Sequence, residues 1–204
     1  MDRRMTTTLT IAGGLLALGS ALAGTAVRAS GEELSRAERD RILVRAQVWM
    51  PPVVAMTTSD LRDNPDGPDG FAADATVECR FQPSGVGGST PKFDCLLADG
   101  DDVKVKYGRD NPEVFSEVIA SRLLASLGFP TDRMYVVERV RCFGCPADPF
   151  KALQCLNDGT PVTACFPKID YTKATVFEDA VIERPIKGRR IEMRRSRGWR
   201  WDEL

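Results

Sequence analysis

Two lysines and one glutamate carry the clearest chemistry in this chain. In Val103-Lys104-Val105-Lys106-Tyr107 the strand period of two sends both lysines to one face and the apolar residues to the other. Glu117 follows on a segment where Val114, Val118, Ala120 and Leu124 surround it. A carboxylate in such company needs a cation, and Lys104 or Lys106 can supply it. Solvent-facing lysines on a half-exposed sheet are the plain alternative, and the marked helix that follows weighs against it.

Six cysteines form the second reactive set: Cys79, Cys95, Cys142, Cys145, Cys155 and Cys165. Cys79 and Cys95 fall on two neighbouring strand-like runs, where a cross-strand disulfide is expected in an exported protein. The later four are spaced C-x2-C-x9-C-x9-C. Disulfides are the default for them as well, the total being even. A four-thiolate zinc site has the right ligand count but one close pair instead of two. A redox CxxC needs a thioredoxin-like βαβ setting, which the sequence does not offer. Which cysteine pairs with which stays open. The chain has no histidine, which removes Ser-His-Asp and Cys-His nucleophilic sites and His-ligated metals.

The elements that must position these groups read as follows. Residues 1–29 have a short charged start, an apolar run over Leu9 to Val27 and small residues at Val27 and Ala29, the pattern of a cleaved export signal. Export to the periplasm or the cell exterior is therefore expected, with no membrane attachment after cleavage. Residues 30–74 form an N-terminal helix over Gly31 to Trp49, capped by Ser30, and a linker whose 57–70 stretch is dense in Pro, Gly and Asp. Asp60, Asp63, Asp66 and Asp69 match no EF-hand spacing, so turn chemistry is expected there.

Residues 75–204 carry the domain. Ala75 to Phe81, Lys92 to Ala98 and Val103 to Tyr107 read as three strands of an antiparallel meander. Asn111 as cap, Pro112 at the first position and Gly128 past the end mark a helix whose apolar residues, Val114, Phe115, Val118, Ile119, Leu123, Leu124 and Leu127, demand burial around most of its circumference. Arg133 to Arg141 is a further strand, and residues 166–186 supply one or two more. A last helix is expected to begin near Gly198. With 28 basic against 29 acidic residues the chain offers no electrostatic case for nucleic acid, and the basic cluster over Arg184 to Arg200 reads as a solvated face.

This order of elements resembles the N-terminal lobe of the protein-kinase-like fold, closest to its atypical lipid-kinase-like and HipA-like branches. The motif that carries the resemblance is Glu117-Val-Ile-Ala120-Ser-Arg122-Leu123, then Leu127-Gly128-Phe129, with Val136-Val137 where the next strand belongs. The chain also looks like a group of exported, uncharacterised bacterial proteins with KVKYG and CxGCP segments. The resemblance implies Lys106 as a nucleotide-phosphate ligand, Lys104 as the fallback on the same face, and Glu117 as the partner. It places Gly85, Gly87 and Gly88 where a glycine-rich nucleotide loop lies, and it implies ATP with Mg²⁺ as ligand.

The fold class expected is α+β, a small antiparallel sheet with one packed helix. The catalytic-loop Asp and Asn and the second metal-binding Asp of a kinase belong to a C-terminal lobe for which no sequence remains before Leu204. The domain therefore reads as truncated at its C-terminus, an atypical kinase only if a C-terminal lobe is missing from this chain, and no catalysis is expected of the chain by itself. The alternative reading is a disulfide-stabilised exported binding or interaction module without nucleotide chemistry.

Overall fold

Alternating apolar and polar residues build the three-stranded meander at the predicted places: β1 (Thr76–Gln82), β2 (Lys92–Leu97) and β3 (Asp102–Lys106), each antiparallel to the next. The computed structural model describes residues 34–52, 60–108, 110–187, 191–193 and 196–203. The expected export signal lies outside the described residues. No described helix is long and apolar enough to cross a membrane.

The sheet is not the open antiparallel one that the sequence suggests. A helix, α2 (Pro112–Ser126), leads from β3 to a long strand, β4 (Arg133–Phe143), and the chain returns after two short helices as β5 (Ala174–Arg184). The five strands close into a barrel in the order β1-β2-β3-β5-β4. β3 and β4 both run antiparallel to β5, while β1 and β4 pair in parallel, Cys79 opposite Cys142. The length of β4 makes the closure: from Thr76 opposite Arg139 onward, its second half is bonded to β1 on one side and β5 on the other. Both sheet edges are thereby removed along that half.

The interior is filled by the inward residues of every strand. Phe81, Phe93, Val105, Tyr135, Val137, Val140 and Ile182 are fully buried. Two helices not foreseen in the sequence follow β4. In α3 (Pro149–Asn157), capped by Asp148, Leu153 is fully buried in the same core as Val86 of the β1–β2 loop. The short α4 (Val162–Cys165) follows. The expected strand content of residues 166–186 is the single β5.

α2 has the predicted caps: Asn111 accepts a hydrogen bond from Glu113 N at 3.0 Å, with Pro112 at the first position. Such a cap is worth about 1 kcal/mol. The expectation that the helix is buried around most of its circumference is overturned. It lies on the outside of the barrel and buries one stripe, Val114, Val118 and Arg122, against Met134, Val136 and Val181. Ile119 is 54 % exposed, Leu124 44 % and Leu127 39 %. A helix laid on a curved barrel touches it along one line only.

The N-terminal helix, α1, spans only Arg36–Leu43 and is capped by Ser35 rather than Ser30, with Glu38 completing a capping box. The expected last helix is a single 3-10 turn, Trp201–Glu203. Glu203 holds it to α1 through an ion pair with Arg39 at 2.6 Å. Between them the strands β6 (Glu192–Met193) and β7 (Ser196–Arg197) form a two-residue ladder.

Candidate functional site

The strand period works as predicted at β3. Val103 and Val105 point into the barrel, while Lys104 and Lys106 point out, onto the face that α2 flanks. Lys106 is the last residue of the strand and is only 5 % exposed. The turn through Gly108 brings the chain back so that Glu117, on the second turn of α2, meets its ammonium: Lys106 Nζ donates to Glu117 Oε2. The pair predicted from sequence is formed.

A second carboxylate shares that ammonium. Glu183 comes from β5, directly opposite Lys104 in the β3–β5 ladder. Its Oε2 is 2.9 Å from Lys106 Nζ, and its Oε1 is 3.6 Å from Lys104 Nζ. Burial by itself lowers the basicity of the Lys106 amine, but the hydrogen bonds to Glu117 and Glu183 outweigh it, and the group stays protonated above the ordinary lysine range. Burial likewise pushes the Glu183 carboxyl up, and its bond to Lys106 with the charge of Lys104 brings it below the ordinary glutamate range. The cluster is thus two ammonium ions against two carboxylates.

Glu183 was not legible as a site residue. Its signal in the sequence is a carboxylate directly after Ala180-Val181-Ile182, but its partner is fixed by the long-range pairing of β5 with β3.

The loop of Gly85, Gly87 and Gly88 joins β1 to β2 and therefore sits at the end of the barrel where β3 finishes, Lys92 being opposite Lys106. It is not an open flap. Val86 is buried in the core, Ser84 and Thr90 are buried beside it, and Ser84 Oγ bonds Asp94. Gly88 has φ of +76°, and a Cβ there would lie 3.4 Å from Lys92 Nζ. Gly87 has open space around it. The loop is pinned by Val86 with its glycine end next to Lys92, whose ammonium forms no ion pair among the described residues.

The face around Lys106 is charged. Asp94 is opposite Lys104 and Lys92 is opposite Lys106 on the β2–β3 ladder. It presents ammonium groups and carboxylates. A hollow elsewhere lies along α1 beside Leu34, Arg41 and Val44.

α2 has a second buried charge. Arg122, of the Glu-x-x-Ala-x-Arg motif, donates to Leu61 O and Arg62 O at 2.9 Å, to Asn64 Oδ1 at 2.6 Å and to Met134 O at 3.3 Å. Asn64 in turn accepts from Val136 N at 2.9 Å and donates to Val136 O at 2.7 Å, acting as one residue of an added strand beside the first half of β4. The Asp-rich stretch is therefore an anchored loop, as its turn residues suggest. Asp60 is bonded to Arg62, whose guanidinium holds its carboxyl at about 2. Residues 57–59 lie outside the described residues.

All six cysteines are oxidised. Cys79–Cys95 forms across β1 and β2 inside the barrel, Cys142–Cys145 within the CxxC, and Cys155–Cys165 between α3 and α4. The zinc reading groups Cys142, Cys145, Cys155 and Cys165. The fold instead separates those four into two bonds and brings the Cys142 sulfur to Cys79 and Cys95. Comparison with protein-family models, curated proteins and solved structures gives no match for this chain.

Proposed function

We propose that this chain is the phosphate-binding lobe of an exported protein, of the atypical-kinase kind, with Lys106 as the ligand for nucleotide phosphates and Glu117 as the residue that holds it. The observation that carries the reading is the Lys106–Glu117 pair between the end of β3 and α2. The order β1-β2-β3-β5-β4 with a helix between β3 and β4 supports it. The three disulfides are compatible with export.

The residues fit a phosphate chain better than a nucleoside. An ammonium has three donors, and two on Lys106 are engaged by Glu117 and Glu183, which leaves one to point at an anion beside Lys92. Mg²⁺ with ATP remains the expected physiological form, the metal neutralising phosphate charge. The reading extends to binding and not to transfer, since the carboxylates in contact with Lys106 among the described residues are both occupied by it.

Calorimetric titration with ATP and with inorganic tripolyphosphate tests the reading. Both ligands bind with similar affinity, and Lys106→Ala weakens both about tenfold or more, the loss of one charge-assisted hydrogen bond. Lys92→Ala, which removes an ammonium that forms no ion pair among the described residues, weakens both as well. Absence of binding by either ligand to the wild-type protein overturns the proposal.

A second reading has its own support. Glu183 already completes the charge of Lys106, and α2 exposes Ile119, Leu124 and Leu127. On that reading the chain is a disulfide-stabilised interaction module, and no phosphate ligand binds.

A further inference from the structure

Two disulfides meet inside the barrel. Cys79 on β1 is flanked by β2, which supplies Cys95, and by β4, where Cys142 is its opposite residue. The inward faces of the flanking strands bring Cys95 Sγ to 3.7 Å from Cys142 Sγ, van der Waals contact between two different disulfides. Cys95 and Cys142 have no exposed surface and Cys79 has 3 %. Cys145 differs: it lies past the end of β4, partly exposed, in a turn pressed against Ile169 and Tyr171 at Gly144. Of these four sulfur-bearing residues it is the least buried.

We propose that Cys142–Cys145 and Cys79–Cys95 form a disulfide-exchange relay, in which a dithiol reductant that opens the first bond at Cys145 moves the buried bond from Cys79–Cys95 to Cys95–Cys142. A thiolate of the dithiol attacks Cys145 Sγ, breaks the Cys142–Cys145 bond and releases Cys142 as a thiolate. That thiolate is born in contact with Cys95 Sγ, so it needs no separate deprotonation in an apolar site that disfavours one. It attacks Cys95 Sγ, forms Cys95–Cys142 and expels Cys79 as a thiolate, which takes a proton. The second thiol of the reductant then attacks its own sulfur in the mixed disulfide and frees Cys145. The dithiol is oxidised to its disulfide, and the protein gains two thiols, at Cys79 and Cys145.

The contact distance is what makes the internal step competitive. Exchange proceeds by thiolate attack on a disulfide sulfur, and holding the two 3.7 Å apart supplies an effective molarity far above that of any free thiol. The three sulfurs cluster within 4.8 Å of one another, so Cys142, once Cys145 has released it, turns about its Cα–Cβ bond to come in line behind Cys95–Cys79. A CxxC that served only as a staple would need no second disulfide at its inner sulfur. The relay makes the barrel core an acceptor of two electrons from an exported dithiol oxidoreductase. It is independent of the phosphate reading, since neither Lys106 nor Glu117 takes part.

The test uses the full chain and dithiothreitol as the dithiol. The protein is partially reduced, quenched in acid, alkylated with N-ethylmaleimide and digested without further reduction, and the cross-linked peptides are identified by mass spectrometry. The result expected is a Cys95–Cys142 peptide as the main product of the first reduction in this set, with label on Cys79 and Cys145. Label on Cys142 and Cys145 with Cys79–Cys95 intact overturns the relay, as does label on Cys79 and Cys95 with Cys142–Cys145 intact. A second measurement uses Cys145→Ser, which leaves Cys142 without its partner. The relay then places the Cys95–Cys142 bond in the oxidised variant and the free thiol at Cys79. A free thiol confined to Cys142 overturns it. Should the variant fail to fold, the wild-type reduction decides alone.

Discussion

Lys106 Nζ lies 2.9 Å from Glu183 Oε2 while it also bonds Glu117, so one nearly buried ammonium serves two carboxylates from two different elements. The two partners are not equivalent. The Glu183 side chain is 11 % exposed and that of Glu117 38 %. Lys106→Met leaves Glu183 with Lys104 alone, at 3.6 Å, and removing one partner of a buried pair costs about 3–5 kcal/mol. Glu117→Gln removes a solvent-screened partner and costs less than about 1 kcal/mol. Urea midpoints at constant slope measure both. Equal losses would mean that Glu117 on α2 contributes as much to the cluster as the lysine itself.

The same pair sets a pH dependence with a definite sign. Glu183 has its folded-state value depressed, so its stabilisation is present above the unfolded glutamate value of about 4.3 and is lost as pH falls through the lower folded value. Lys106 has its folded value raised, so its contribution is present below the unfolded lysine value of about 10.4 and is lost as pH rises through the folded one. Tyr107 adds to the alkaline loss, because burial raises its phenol. The acid arm is therefore the diagnostic one. Lys106→Met with Glu183→Leu removes both charges, and the wild type loses stability relative to this double variant as pH drops below about 4. A difference that is flat with pH would show that Glu183 is not depressed.

The candidate site was legible where its causes are local. Alternation in Val103 to Tyr107 put Lys104 and Lys106 on one face, and Asn111, Pro112 and Gly128 fixed the helix that presents Glu117. What sequence could not show is set by distant pairing. Glu183 reaches Lys106 only because β5 lies next to β3, and the barrel closes only because β4 is long enough to bond β1. The partial burial of α2 escapes the sequence for the same reason: apolar residues at Ile119, Leu124 and Leu127 say that a face wants cover, and cannot say that the barrel is too curved to provide it. The Cys79–Cys95 bond was readable from two adjacent strands, while the meeting of Cys95 with Cys142 needed the parallel β1–β4 register.

Arg122 is predicted to hold the loop of residues 61–64 against the barrel. Its guanidinium satisfies three backbone carbonyls and Asn64, and Asn64 completes the hydrogen bonds of Val136. Asn64→Ala leaves buried groups of β4 unpaired, at a cost of about 1–3 kcal/mol. Amide exchange at Val136 accelerates in this variant, while exchange at Val105, deep in the barrel, changes only by the global loss. Unchanged exchange at Val136 would mean that water replaces the asparagine without penalty.

Two glycines separate stability from binding. Gly128 has φ of +91°, and a Cβ there would lie 1.9 Å from Met50 O and 2.9 Å from Trp49 Nε1. Gly128→Ala must therefore expel the segment that docks on the end of α2, where Trp49 Nε1 donates to Leu127 O at 2.6 Å and Met50 N to Gly128 O at 2.9 Å. Backbone strain of this kind costs about 1–3 kcal/mol before the lost contacts are counted, and quenching or shift of Trp49 fluorescence reports the release. At Gly87 an added methyl would meet no atom within 4 Å, and the backbone has no positive φ, so Gly87→Ala leaves stability unchanged or raises it by about 0.4–1 kcal/mol. If the loop offers its backbone to a phosphate, the added methyl obstructs that approach and tripolyphosphate affinity falls although the fold is intact. An affinity that stays at the wild-type value takes the glycine loop out of the site and leaves Lys106 and Lys92 to bind the anion alone.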